Sequence, residues 1–250
     1  MTDQTLTDAL AELVTGSSCL GCGRPGRLVC PRCRAGLPDR ARLLAPDPCP
    51  PGLAPSWSCL DYDGLVRAMI VGHKERRMLA LTPALAELLA VAAGAAGGRR
   101  QALLLVPVPS RAATVRARGH EPLWAITHRA ARLLRGGGVV AHPQRLLAIR
   151  GRPADQAGLS AGARAANLAG TLWCPSSALA RAAGRHPGAA VVLCDDVLTT
   201  GSTVAEAQRA LAQVGVRVAG IATIAATRRT RSRSHSEHSG RSLAWTGDTD

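Results

Sequence analysis

The sequence predicts an α/β fold, a parallel sheet flanked by helices, with a small cysteine-rich module ahead of it. Three observations carry this. The second half alternates apolar strand-like runs with amphipathic helical segments, the order that gives parallel strands joined by helical crossovers. Two runs, ALLLVPVP at 102–109 and AAVVLCDDV at 189–197, are apolar without alternation, as strands covered on both faces are. Four of the eight cysteines fall in two CxxC pairs near the N-terminus.

The elements follow in order. TLTDALAELV has apolar positions at helical spacing behind a threonine cap, which predicts a helix within residues 1–16. Cys19 and Cys22, then Cys30 and Cys33, are separated by GRPGRLV, which can fold as a short hairpin. Each CxxC sets two thiolates on one tight turn, so residues 17–37 are expected to form a zinc ribbon with a tetrahedral S₄ site. A redox dithiol is the competing reading. The other cysteines, Cys49, Cys59, Cys174 and Cys194, show no pairing and are expected to be small buried hydrophobes. Residues 38–56 are rich in proline and read as a linker or an extended arm packed on the next domain. WSCLDY alternates like a strand, and residues 63–97 read as two helices broken near Pro83 and ended by Gly94, Gly97 and Gly98. Residues 121–138 form a helix with Pro122 in its first turn and a glycine stop. STVAEAQRALAQVG is a helix ending at Gly215, and VRVAGIATIAAT a further strand. The last stretch, 228–250, lacks hydrophobic periodicity and is dense in Ser and Arg, so a disordered basic tail is expected there.

Composition narrows the function classes. A net charge of +14 would suit a polyanion ligand, yet only Lys74 is lysine among 31 basic residues in a chain heavy in Ala, Gly and Arg. Arginines spread over a solvated surface account for the charge more simply. With no Phe, one Tyr and four Trp, a stacking platform for single-stranded nucleic acid is poorly supplied. No apolar run of about 18 uncharged residues is present, and MTDQTLTDALAELV carries acids where a signal peptide needs bases. The expectation is a cytoplasmic protein without membrane insertion.

The stretch VVLCDDVLTTGST, residues 191–203, holds the most chemistry. It places two adjacent acids at the carboxyl end of a buried strand, where parallel sheets bind ligands. A carboxylate there is costly unless paired or serving a ligand. Asp195 and Asp196 suit vicinal hydroxyls. Thr199, Thr200, Gly201, Ser202 and Thr203 then lead into a helix N-terminus, whose N–H groups and dipole favour a phosphate. The plausible ligand is a sugar phosphate. The competing reading makes the acids turn caps. His73, His120 and His128 have no partner at metal or triad spacing and are read as structural or surface histidines.

That stretch resembles the ribose-phosphate loop of type I phosphoribosyltransferases. Together with LLLVPVPSRAATVRARGH, DQAGLSAGARAANLAGTLW and the CxxC pairs, it makes residues 15–227 similar to the ComF family, named for a late competence protein linked to DNA uptake. The resemblance implies a type I phosphoribosyltransferase-like domain over 57–227, with phosphoribosyl pyrophosphate and Mg²⁺ as ligands. It implies that Asp195 and Asp196 hold the ribose hydroxyls, that Thr199 to Thr203 hold the 5-phosphate, and that Ser110 and Arg111 lie where pyrophosphate is held. Residues 150–164 resemble the flap over the site, with Gln156, Leu159, Arg164 and Asn167 in matching positions. Arg150 and Arg164 would neutralise the leaving group. Two departures concern the acceptor side: RGHEP at 118–122 stands where the family has RGFNQ, and Lys74-Glu75-Arg76 where it has lysine, an aromatic and glycine. The implied reaction is dissociative displacement at the anomeric carbon, onto an acceptor the sequence does not name. Two alternatives stand beside it: a non-catalytic sensor of phosphoribosyl pyrophosphate or nucleotide, and a zinc-ribbon accessory contacting single-stranded DNA or competence-machinery proteins.

Overall fold

Six strands form one sheet in the order β1-β2-β8-β7-β3-β4 in the computed structural model, with β1/β2 antiparallel and every other pairing parallel. The structure describes residues 17–100, 102–110, 115–116, 119–150 and 169–227. The strands are β1 (Arg42–Leu44), β2 (Ser56–Asp61), β3 (Ala102–Pro107), β4 (Val140–Pro143), β7 (Ala190–Leu198) and β8 (Val218–Ala226). A separate two-stranded ribbon pairs β5 (Ala148–Ile149) with β6 (Leu172–Trp173). The helices are α1 (Pro31–Ala35), α2 (Gly64–Glu75), α3 (Thr82–Gly97), α4 (Pro122–Gly136), α5 (Ser176–Arg185) and α6 (Ser202–Ala212).

The uninterrupted apolar strands have the predicted reason. Leu103 and Leu105 of β3, with Val192 and Cys194 of β7, face one hydrophobic cluster, which α2, α3 and α4 complete. Leu104 and Val106, with Val191 and Leu193, face a second, closed by α5 and α6. Successive strand side chains point to opposite faces, so a sheet packed on both sides needs apolar residues at every position. Alanines let α3 lie close: Ala86, Ala92 and Ala93 are fully buried, and a Cβ at Gly220 would stand 2.8 Å from the Ala96 carbonyl oxygen. The stretch Leu79–Gly97 is long and apolar enough to cross a membrane by length and composition, and more than half of it is buried in the fold.

Some expectations shift. The break between the first two helices falls at Arg76–Met78, and Pro83 opens α3 in its first turn, where its missing N–H costs nothing. The turn between the cysteine pairs is not a self-contained hairpin: Ser18 bridges Pro25, and Leu20 N–H donates to Leu28 O at 3.0 Å. Cys59, Cys174 and Cys194 are buried as expected, but Cys49 is exposed. It sits among the prolines of a surface turn, on the open side of a largely apolar cavity that it lines with Leu44, Pro46 and Leu53. The expected N-terminal helix and basic tail lie outside the described residues.

Order places the site. From β3 the chain moves outward to β4 on one side; from β7 it moves to β8 on the other. The carboxyl ends of β3 and β7 therefore border the topological switch point, where the two flanking connections diverge and leave a crevice.

Candidate functional site

A cavity of about 440 Å³ opens at that point, lined by Tyr62, Lys74, Val108, Pro109, Ser110, Asp195, Asp196, Thr199 and Thr203 among others. Five of the residues singled out in the sequence are thus gathered in one cleft: Ser110, Asp195, Asp196, Thr199 and Thr203. Thr200 and Ser202 form the turn beneath it. Their hydroxyls lie 2.9 Å apart, and the Thr200 oxygen accepts from Ser202 N–H at 3.4 Å. Gly201 has φ 72°, the left-handed region, and stands at the N-cap of α6. First-turn N–H groups of any helix lack intrahelical acceptors, so the start of α6 offers donors beside Thr203.

A Cβ at Gly201 would meet Pro46 Cγ at 2.8 Å and Pro50 Cδ at 3.3 Å, so its bare face turns to the proline-rich arm. That arm is fastened to α6. Ala54 N–H donates to Gln208 Oε1 at 2.8 Å, and Gln208 Nε2 donates to Gly52 O at 2.7 Å.

The two acids are not equivalent. Asp195 turns Oδ1 back to accept from the Asp196 N–H at 2.9 Å, while Asp196 is ion-paired to Lys74. Burial pushes the Asp195 carboxyl well above the ordinary carboxylate range, and the Asp196 charge adds to this. Burial acts the same way on Asp196, but Lys74 outweighs it and holds that carboxyl below its usual range. The pair thus favours one negative charge, on Asp196, matched by one ammonium.

Lys74 lies in the last turn of α2; the resemblance matches it to the lysine of the family's lysine-aromatic-glycine motif on the acceptor side, without pairing it with Asp196. Composition marks it too, since an arginine-rich chain keeps lysine at this one position. Its neighbour His73 is fully buried and bonds through Nε2 to Thr82 Oγ1 at 2.8 Å. Burial lowers the His73 pKa to about 4, with His120 and Lys74 adding to the effect, so the ring is neutral and structural, as expected of it.

Other predicted residues fall elsewhere. Arg150 does not line the cavity: its guanidinium lies over the Trp173 ring, 4.5 Å from the centroid, because β5/β6 stands apart from the main sheet. Arg111 and Arg164, with Gln156, Leu159 and Asn167, lie outside the described residues.

The second centre is the cysteine cluster. One ligand atom each from Cys19, Cys22, Cys30 and Cys33 lies within 4.8 Å of the others, a spread that suits a tetrahedral thiolate site. Cys30 caps α1, its sulfur accepting from Cys33 N–H at 3.5 Å, and its own N–H donates to Cys19 Sγ at 3.3 Å. Burial opposes ionisation of Cys19, yet N–H donors from Cys30, Cys22 and Gly21 bring its thiol down to about 6. The neighbouring sulfurs of Cys22 and Cys30 push Cys33 up to about 12. One thiolate stabilised among thiols is a starting point for capturing a soft cation.

The family model described as phosphoribosyl transferase domain matches residues 148–245. A search of curated proteins finds no match. The match covers β5 to β8 and the loop from Asp195 to Thr203, and the rest of the cavity wall is supplied by residues between 62 and 110 and by Leu123. A phosphoribosyltransferase-type domain is therefore present in this chain, behind a module whose four cysteines are close enough to hold a metal ion.

Proposed function

We propose that the protein binds phosphoribosyl pyrophosphate with Mg²⁺ in the switch-point cavity and transfers its phosphoribosyl group to an acceptor. The observation that carries this reading is the order of groups along one strand-loop-helix: two adjacent carboxylates, Asp195 half-buried and Asp196 buried, a hydroxyl-rich turn and a helix start, all bordering one cleft. Asp196 and Asp195 would receive the ribose hydroxyls. Thr199, Thr203 and the first-turn N–H groups of α6 would hold the 5-phosphate. Ser110, just past the end of β3, would face the diphosphate, joined by Arg111 and Arg164 as the family resemblance suggests. Since Asp195 accepts from the Asp196 N–H and Asp196 is paired with Lys74, the cavity offers no dedicated carboxylate cage; Mg²⁺ would be carried chiefly on the ligand's phosphates, where it would neutralise the leaving group. The protein's share is to orient the sugar and to present positive charge to the departing diphosphate.

The wider reading follows the ComF resemblance: a cytoplasmic protein with a structural zinc ribbon over 17–37, a proline-rich connection over 38–56 and the transferase-like domain over 57–227, linked to competence and DNA uptake. Calorimetry tests its core. Wild-type protein should bind phosphoribosyl pyrophosphate in the presence of Mg²⁺, and Asp196→Asn should weaken binding by roughly 1.5–3 kcal/mol, the worth of hydrogen bonds to a charged group. No binding by the wild type overturns the proposal. Binding without diphosphate release across an acceptor panel makes the protein a sensor.

A further inference from the structure

Asp196 is already engaged in the structure. Its side chain is 9 % exposed and paired with Lys74, itself 32 % exposed on the cavity wall. A ligand whose hydroxyls reach for Asp196 must share it with the ammonium or displace it. Displacement is costly by itself, because breaking a largely buried pair leaves a cation without its counterion. The cost is offset only if the ligand brings an anion within reach of the displaced amine. Lys74, Glu75, Pro109 and Ser110 border the same cavity, so an anionic group on the anomeric side of the sugar would meet Lys74 there.

We infer that Lys74 is a selectivity latch, its ammonium held on Asp196 without ligand and moving to the anionic group at the sugar's anomeric position, so that the site favours a sugar phosphate bearing a 1-diphosphate over the same sugar phosphate without one. The inference rests on the ribose role proposed for Asp196. Residue type supports it. An ammonium is a compact charge on a flexible stem with freely turning donors, whereas a guanidinium fork would be locked onto the carboxylate. Lysine therefore suits a group that trades partners. The stem is also anchored for this: His73 bonds Thr82, and His120 Nε2 lies 3.3 Å from the His73 carbonyl oxygen. The last turn of α2 stays fixed while the side chain swings.

The test uses the full-length, metal-replete protein with Mg²⁺ and two probes, phosphoribosyl pyrophosphate and ribose 5-phosphate. Lys74→Met, which keeps the stem and removes the charge, should bind ribose 5-phosphate more tightly than wild type. It should bind phosphoribosyl pyrophosphate about tenfold or more weakly, the loss of one charge-assisted hydrogen bond. The ratio of the two affinities thus collapses in the variant. A second readout needs no substitution. Lys74 is the chain's one lysine, so acetylation mapped by mass spectrometry follows it directly. Ribose 5-phosphate should speed its labelling by freeing the amine, and phosphoribosyl pyrophosphate should slow it. If the wild type binds both probes but Lys74→Met shifts the two affinities in the same direction, or both ligands change labelling alike, the latch is wrong while the proposed function stands. If the wild type binds neither, both fall together.

Discussion

Replacing Cys30 by Ser is expected to abolish metal binding and to unfold residues 17–37. Cys30 is the module's hub: it is 2 % exposed, caps α1, sits 3.6 Å from Cys22 Sγ and ties its N–H to Cys19. A serine hydroxyl does not ionise at neutral pH and is a poor ligand for a soft cation. For structural zinc in small modules the apparent binding free energy is about 10–16 kcal/mol, most of which is folding free energy. The effect should spread, because Leu20, Leu28, Val29 and Leu37 pack against the main core. Elemental analysis should give one zinc per wild-type chain and none in the variant, with a lower melting temperature for the variant. Metal-replete wild type without bound metal would end the zinc-ribbon reading.

Gly201→Val should lower stability as well as ligand affinity. At φ 72° a β-branched residue is strained, and its Cβ would collide with Pro46 at 2.8 Å. Strain of about 1–3 kcal/mol for a non-glycine residue in this region adds to overpacking of about 1–3 kcal/mol. The arm must then leave α6, breaking the Gln208 bonds to Gly52 and Ala54. Denaturant melts should show the loss without ligand present. Unchanged stability with lost binding would mean that the glycine faces the phosphate after all.

What could be read from the sequence, and what could not, divides by the range of the interaction. β3 and β7 were legible because burial on both faces writes itself into every residue of the strand, and α6 because its apolar spacing is local. The acids and hydroxyls of 195–203 were legible for the same reason: the groups that this segment brings to the cavity are neighbours in the chain. β1 was hidden among prolines because its strand character comes from pairing with β2 rather than from its own residues. The short strands β4, β5 and β6 carry too few residues for a period to show. Lys74 and Asp196 were each matched to a motif by resemblance, but they stand 122 positions apart and their pairing is made only by the fold. Arg150 was drawn to the site by resemblance, whereas the aromatic ring that holds it, Trp173, arrives from a strand 23 positions later.

The strand order has a consequence for how this chain reaches its native state. β8, the last of the described strands in chain order, lies between β2 and β7, and Ser56 finds its register opposite Ile221. The arm likewise waits for Gln208, 154 residues beyond Ala54. During synthesis the β1/β2 pair and the arm therefore leave the ribosome with their sheet partners still unmade, and the sheet closes only when the final strand slides into its centre. Such pairing across distant sequence is slow and leaves apolar strand edges open in the meantime. A nascent chain halted before residue 218 should be a strong chaperone client, and release of the last strand is the step that ends its exposure.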